Sequence, residues 1–199
     1  LLLDRYVWRE TVSQIAAWKK QFGRTVPVSV SVSRIDMLDP DLVETLRDLV
    51  INGGLDFSDL HLEITESAYT ENARQIIDMV NQLQKIGFVI EMDDFGSGYS
   101  SLNMIATLPI DVLKLDMVFI RSVFRENGNL RMLKVIVEIA ETLSVPMIAE
   151  GVETAEQLNT LREMGCDMVQ GYYFSAPKPA ADFEKFIREW LQIKETKIA

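Results

Sequence analysis

Short apolar runs alternate with amphipathic segments along all 199 residues, and this alternation limits the possible folds more than any other feature. The apolar runs predict six strands, at residues 26–33, 60–64, 88–92, 112–115, 146–149 and 168–172. The amphipathic segments predict helices at residues 4–22, 39–51, 71–86, 101–107, 128–143, 154–165 and 181–194. This order is typical of a parallel α/β sheet with right-handed crossovers.

The size and composition of the chain favour one domain over residues 1–199, because 48% hydrophobic residues are enough for a single core. The predicted fold class is α/β, a (β/α)8 TIM-like barrel. A complete barrel needs roughly 250 residues, so we expect about six of the eight strands here and the other two before Leu1. Such a six-strand piece alone should be poorly stable and inactive, because its strand edges are unpaired.

The charge and the single cysteine restrict the partners and the compartment. A net charge of -10 argues against duplex nucleic acid as a partner, whereas a small anionic ligand fits if metal ions bridge it to carboxylates. Cys166 has no second cysteine to pair with, which suits a reducing compartment. No apolar run approaches about 18 residues, so we expect no membrane contact from this segment. We expect a cytoplasmic location, alone or within a larger membrane-anchored protein.

Polar residues stand at the ends of the predicted strands, at the rim where parallel α/β proteins carry their chemistry, although Gln170 lies within its short strand. They are Ser31, Ser33, Glu63, Glu66, Asp93, Asp94, Lys114, Asp116, Glu150 and Gln170. Carboxylates at one rim repel unless a cation neutralises them. Hard oxygen ligands suit Mg²⁺ or Mn²⁺, and two such ions would support in-line attack on a phosphodiester.

Each of these residues also has a simpler interpretation. Asp94 can cap a turn, and Glu66 can be an ordinary charge at a helix N-terminus. Lys114 can form a structural ion pair with Asp116 or Asp93, and His61 is interpreted as a packing residue rather than a ligand. A Schiff-base enzyme using Lys114 is a further alternative, which nearby carboxylates disfavour because they keep a lysine protonated.

Five motifs resemble the EAL family of cyclic di-GMP phosphodiesterases, in the family's order and over essentially all 199 residues. They are EITE at 63–66, DDFGSGYSSL at 93–102, KLD at 114–116, AEGVE at 149–153 and QGY at 170–172. The resemblance implies metal-dependent hydrolysis of cyclic di-GMP to linear pGpG.

The resemblance also implies a role for each matching residue. Glu63, Asp93 and Asp94 match metal ligands, Lys114 matches the lysine that contacts the attacking water, and Glu150 matches a general base or outer-sphere metal partner. Glu66 matches a glutamate that holds the loop at 93–102 in place. The residues expected to contact the substrate or to support those that do are Asp116, Gln170, Ser33 and Gly171.

Two departures from the family pattern leave the activity open. The motif that names the family is expected before Leu1. Ser31 stands where an asparagine usually ligates metal, and its hydroxyl is a weaker ligand. The alternative is therefore a degenerate domain that binds cyclic di-GMP or a protein without cleavage. The resemblance further implies an upstream sensory or GGDEF-type domain, and a homodimer through residues 95–107 and 116–130.

Overall fold

Six parallel strands form one sheet in the structure, a computed structural model that describes residues 2–65, 73–96, 107–125 and 128–198, with side chains up to residue 189. The strands pair in chain order, each with the next. They are β1 Val28–Ser31, β2 Leu60–Thr65, β3 Val89–Phe95, β4 Val112–Leu115, β5 Met147–Ala149 and β6 Met168–Val169. The parallel α/β fold predicted from the sequence is confirmed.

Helices connect these strands and cover one face of the curled sheet. They are α1 Leu2–Phe22, α2 Arg34–Met37, α3 Leu42–Asn52, α4 Ala73–Ile86, α5 Met117–Val123, α6 Leu130–Leu143, α7 Ala155–Met164 and α8 Ala180–Ile198. A 3-10 turn at Phe57–Asp59 leads into β2. None of the described helices is long and apolar enough to cross a membrane.

The two faces of the sheet differ sharply in polarity, as β2 shows. Leu60, Leu62 and Ile64 are buried in the core that the helices cover. His61 and Glu63 alternate with them and therefore point to the opposite, concave face of the curled sheet. The apolar face holds the fold together, which leaves the concave face for polar chemistry.

Three predicted elements differ from the structure. Strand β6 ends at Val169, so Gln170 follows the strand instead of lying within it. Helix α3 begins at Leu42 after Asp41, not at Asp39; the Asp39 carboxylate binds Arg5 at 2.6 Å and accepts from the amide of Asp41 at 3.0 Å. The sequence patterns also missed two short helices, α2 and α5. The predicted helix at 101–107 lies almost entirely outside the described residues.

Candidate functional site

Lys114 lies at the centre of a charged cluster on the concave face. It is only 5% exposed, and every residue of its strand, β4, is buried. Its Nζ lies 2.5 Å from Glu63 Oε1, 2.8 Å from Glu150 Oε1 and 3.1 Å from Asp93 Oδ1. A buried lysine is rare unless it is paired, and here carboxylates from β2, β3 and the end of β5 pair with it. Four of the sequence-predicted rim residues are therefore in direct contact.

The cluster fixes the protonation of Lys114. Burial alone would lower its pKa, but hydrogen bonds to Glu150 and Glu63 outweigh burial and raise the pKa. An ammonium that stays protonated has no lone pair, so this environment disfavours the Schiff-base alternative. Burial also raises the pKa of Glu150, although the hydrogen bond from Lys114 partly opposes that effect.

A bulge in β3 brings two consecutive aspartates to the same rim. Side chains alternate along a regular strand, so neighbours should point to opposite faces. The register with β4 shifts between Met92 and Phe95, and Asp94 has a φ of 58°, in the left-handed region. Burial and the charges of Asp93 and Asp116 raise the pKa of Asp94. Bulges of this kind often re-aim side chains beside active sites.

The oxygen donors at this rim suit a hard divalent cation in chemistry. Asp93 Oδ1 is buried and accepts no hydrogen bond; its contact with Lys114 is electrostatic. Ser31 Oγ donates to Glu63 Oε2 at 3.4 Å, and the indole of Trp8 holds the Ser31 carbonyl at 3.0 Å. Within residues 2–65, 73–96, 107–125 and 128–198, however, no three His, Cys, Asp or Glu side chains converge as a metal-binding group. Lys114 neutralises the carboxylates in this arrangement.

Two other predicted site residues have different surroundings, and a third lies outside the described residues. Ser33 caps α2 and donates its hydroxyl to Asp36 in a capping box, so it lies outside the Lys114 cluster. Asp116 caps α5, accepting hydrogen bonds from the amides of Val118 at 2.7 Å and Phe119 at 3.3 Å. The predicted pairing of Lys114 with Asp93 is thus observed, whereas Asp116 serves its own helix. Glu66 lies outside the described residues.

Gln170 and Gly171 border a cleft beside Glu150. The cleft measures about 220 Å³ and is lined by Met117, Arg121, Glu150, Gly151, Glu153, Gln170, Gly171 and Tyr172. An ion pair of 2.6 Å between Arg121 and Glu153 crosses its edge. Polar groups thus meet an exposed aromatic ring next to the charged cluster, which is an arrangement suited to part of a nucleotide.

Residues 1–177 match the EAL domain family. The chain belongs to this family. The EAL domain is 33% identical over 190 residues to the cyclic di-GMP phosphodiesterase PdeR of Escherichia coli K12, covering 96% of the chain and 29% of PdeR. It is 35% identical over 188 residues to the cyclic di-GMP phosphodiesterase NbdA of Pseudomonas aeruginosa, covering 94% of the chain and 24% of NbdA. The chain thus spans less than a third of the length of these curated relatives.

Solved EAL structures share the fold. The PaMucR phosphodiesterase in complex with c-di-GMP superposes with a TM-score of 0.85 at 31% identity, over 92% of this chain and 74% of that one. The EAL domain of Mycobacterium smegmatis DcpA superposes with a TM-score of 0.88 at 28% identity, over 94% and 84%. These comparisons confirm the family resemblance and the barrel-like fold expected from the motifs.

The sequence patterns missed one polar pair in this EAL domain. His61 Nδ1 lies 2.6 Å from Glu91 Oε1, although His61 was expected only to pack. Burial would raise the pKa of Glu91, but the hydrogen bonds with His61 and Ser29 and the charge of Lys114 together outweigh burial and lower the pKa. A signal was available: both residues stand two positions before a rim carboxylate, Glu63 or Asp93, and so share its face of the sheet.

Proposed function

We propose that this EAL domain, as one domain over residues 1–199, hydrolyses one phosphodiester of cyclic di-GMP to give linear pGpG. The observation that carries the proposal is the contact of Lys114 with carboxylates from three different strand ends. A buried cluster of this charge is costly to maintain as mere packing. Its position beside the cleft at Gln170 and Gly171 therefore supports chemistry on a phosphate ester.

Each rim residue has a proposed part in the reaction. Glu63, Asp93 and Asp94, with weaker help from Ser31, would hold one or two Mg²⁺ or Mn²⁺ ions. Such ions, when bound, neutralise phosphate charge and lower the pKa of water. Lys114 orients the attacking water, and Glu150 takes its proton as the water oxygen bonds to phosphorus. The bond from phosphorus to the ribose oxygen breaks, and that oxygen takes a proton from solvent and leaves as a hydroxyl.

The residues around this centre would position the substrate and the reacting side chains. Gln170 and Gly171 shape the wall of the cleft next to Glu150. Asp116 fixes the start of α5, which carries Met117 and Arg121 to the opposite wall. We also propose that Glu66 and Ser33 support the loops on which the site depends, as the family resemblance implies.

Turnover of cyclic di-GMP by the intact gene product tests this function. With Mg²⁺ or Mn²⁺ present, chromatography should show pGpG, and the Glu150→Gln variant should lose about 100-fold or more in kcat, because it lacks the general base. The matched control is Glu156→Gln, at an exposed glutamate in the first turn of α7. Absence of pGpG with either metal would contradict the proposal.

A receptor that binds cyclic di-GMP without cleaving it is the second candidate, and Ser31 favours it. The hydroxyl reaches only the neighbouring Glu63 carboxylate, at 3.4 Å. Calorimetry that shows binding of cyclic di-GMP in samples that release no pGpG would support this candidate over the first.

The Ser31→Asn variant should bind Mn²⁺ more tightly, by roughly 10-fold, a change on the scale seen when groups around a metal are altered. The longer amide places its oxygen further into the rim than a hydroxyl does. Titration calorimetry measures the change, and turnover should rise with it. The control is Ser33→Asn, because asparagine also caps helices and Ser33 lies outside the cluster. If wild type and Ser31→Asn bind Mn²⁺ with equal affinity, Ser31 does not weaken metal binding.

Glu150 should make the stability of the metal-free protein depend on pH. Its pKa is raised above the ordinary value of 4.5, because burial penalises the charged carboxylate. The folded protein therefore holds this proton more tightly than the unfolded chain, and stability falls as pH rises from 4.5 through the raised pKa. Urea unfolding across this range should show a smaller fall for Glu150→Gln. The same pH dependence in both proteins would contradict the assignment.

We further propose an upstream sensory or GGDEF-type domain and a homodimer, through residues 95–107 and 116–130. Met117 and Val118, on α5, are 43% and 57% exposed, so the second of these segments presents apolar surface. The ligand partner is cyclic di-GMP, not duplex nucleic acid, and the proposed location is the cytoplasm. Analytical ultracentrifugation of the intact gene product tests the dimer.

A further inference from the structure

The pair formed by His61 and Glu91 lies on the concave face, one step along the strands below the charged cluster. Glu91 is 3% exposed, and its contact with His61 measures 2.6 Å. In the sheet register, Glu91 is the direct partner of Glu63, which Lys114 binds. Two carboxylates therefore occupy paired positions on neighbouring strands, where like charges repel.

Each of the two carboxylates has its own side-chain partner. Glu63 contacts Lys114, and Glu91 contacts His61. Glu91 also interacts electrostatically with Lys114, so the ammonium lies within its field. Its second oxygen, Oε2, is buried and without a hydrogen-bond partner among the described residues. Glu91 is thus a buried acceptor that could compete for Lys114 if His61 did not hold it.

We propose that His61 is a positioning residue, which holds Glu91 and so keeps the Lys114 ammonium directed at Glu63 and Glu150. Lysine carries three N–H donors on a long flexible stem, and its direction depends on which acceptors surround it. Without His61, the Glu91 carboxylate loses its 2.6 Å contact and draws Nζ away from the rim. This inference rests on the proposed function for its effect on catalysis, but not for its effect on the position of Lys114.

Three variants of the intact gene product test the proposal by kinetics. His61→Ala should lower kcat by about 10- to 100-fold with KM unchanged, as expected when a catalytic group is displaced by about 1 Å. Glu91→Gln keeps the shape but removes the competing charge, so it should turn over like wild type. The double variant should recover most of the lost kcat. If the pair were only structural, the double variant would be as slow as His61→Ala or slower. That result, or a normal kcat in His61→Ala, would overturn the proposal.

A crystal structure of the His61→Ala protein gives a readout that does not depend on activity. We expect Lys114 Nζ to move toward Glu91 and away from Glu150. An ammonium that still contacts Glu63 and Glu150 would overturn the proposal even if wild type hydrolyses cyclic di-GMP. If the wild-type protein shows no turnover, the proposed function fails, and the position of Nζ alone decides whether His61 has this role.

Discussion

Replacing Lys114 with methionine should lower the turnover of cyclic di-GMP by about 100-fold or more, the scale on which misplacement of a reacting group acts. Methionine matches the length of the lysine stem but leaves Glu63, Asp93 and Glu150 without their common cation. The metal-free protein should also lose about 3 kcal/mol of stability, because breaking a buried ion pair from one side leaves charge uncompensated. Chromatography of pGpG and urea unfolding measure the two effects.

Added metal should separate the two consequences of Lys114→Met. A divalent ion can neutralise the same carboxylates, so Mn²⁺ should restore much of the stability. It should not restore turnover, since the residue that contacts the attacking water is still missing. The control is Lys185→Met, where a lysine with 76% of its side chain exposed pairs with Asp182 within α8. Exposed pairs contribute little, so this variant should match wild type. Wild-type turnover in Lys114→Met would refute the proposed role.

The sequence predicted the fold because the features that decide it are local. Apolar runs and amphipathic segments alternate clearly, and each strand of the structure overlaps a predicted one. The contact among Lys114, Glu63, Asp93 and Glu150 was also within reach, because parallel strands deliver the residues at their ends to one rim. The type and direction of each element were enough to predict both the fold and this contact.

Features that depend on the register between neighbouring strands could be predicted only as far as which residues share a face of the sheet. The contact of His61 with Glu91 joins residues 30 positions apart and exists because β2 and β3 align as they do. The bulge at Asp94 is a second case, since alternation alone would have placed the two aspartates on opposite faces. Local patterns predict which side chains share a face of a strand. They do not predict which side chains of the neighbouring strand these contact.

The prediction of short elements failed for a different reason. The segment 117–123 is apolar enough to be a strand or a helix, and Asp116 decides for a helix by capping its first amides. Strand β6 ends at Val169 and is shorter than predicted; just beyond it, the Gln170 carbonyl accepts a hydrogen bond from Val152 N at 3.1 Å. Elements with so few residues carry too little of a periodic pattern for their type and length to be predicted from it.

Gly171→Ala should be among the most damaging single substitutions outside the charged cluster. An added Cβ would lie 2.2 Å from the Val152 carbonyl oxygen and 2.4 Å from its nitrogen. Neither atom can easily move, since Val152 N donates to Gln170 and Val152 O accepts from Tyr173 N at 2.9 Å. Val152 itself is fully buried. We expect a loss of about 3 kcal/mol in unfolding free energy, at the upper end of the usual cost of overpacking.

The damage should extend to the cleft, because Gly171 stands beside Gln170 on its wall. Displacing this turn should weaken binding of cyclic di-GMP as measured by calorimetry at a temperature where the variant is still folded. Gly54→Ala is the control: Gly54 has a φ of 65° and nothing within 4 Å of an added Cβ. It should cost only about 1 kcal/mol for the left-handed backbone and leave ligand affinity unchanged. If both variants lose the same stability, the contact with Val152 is not what requires glycine at position 171.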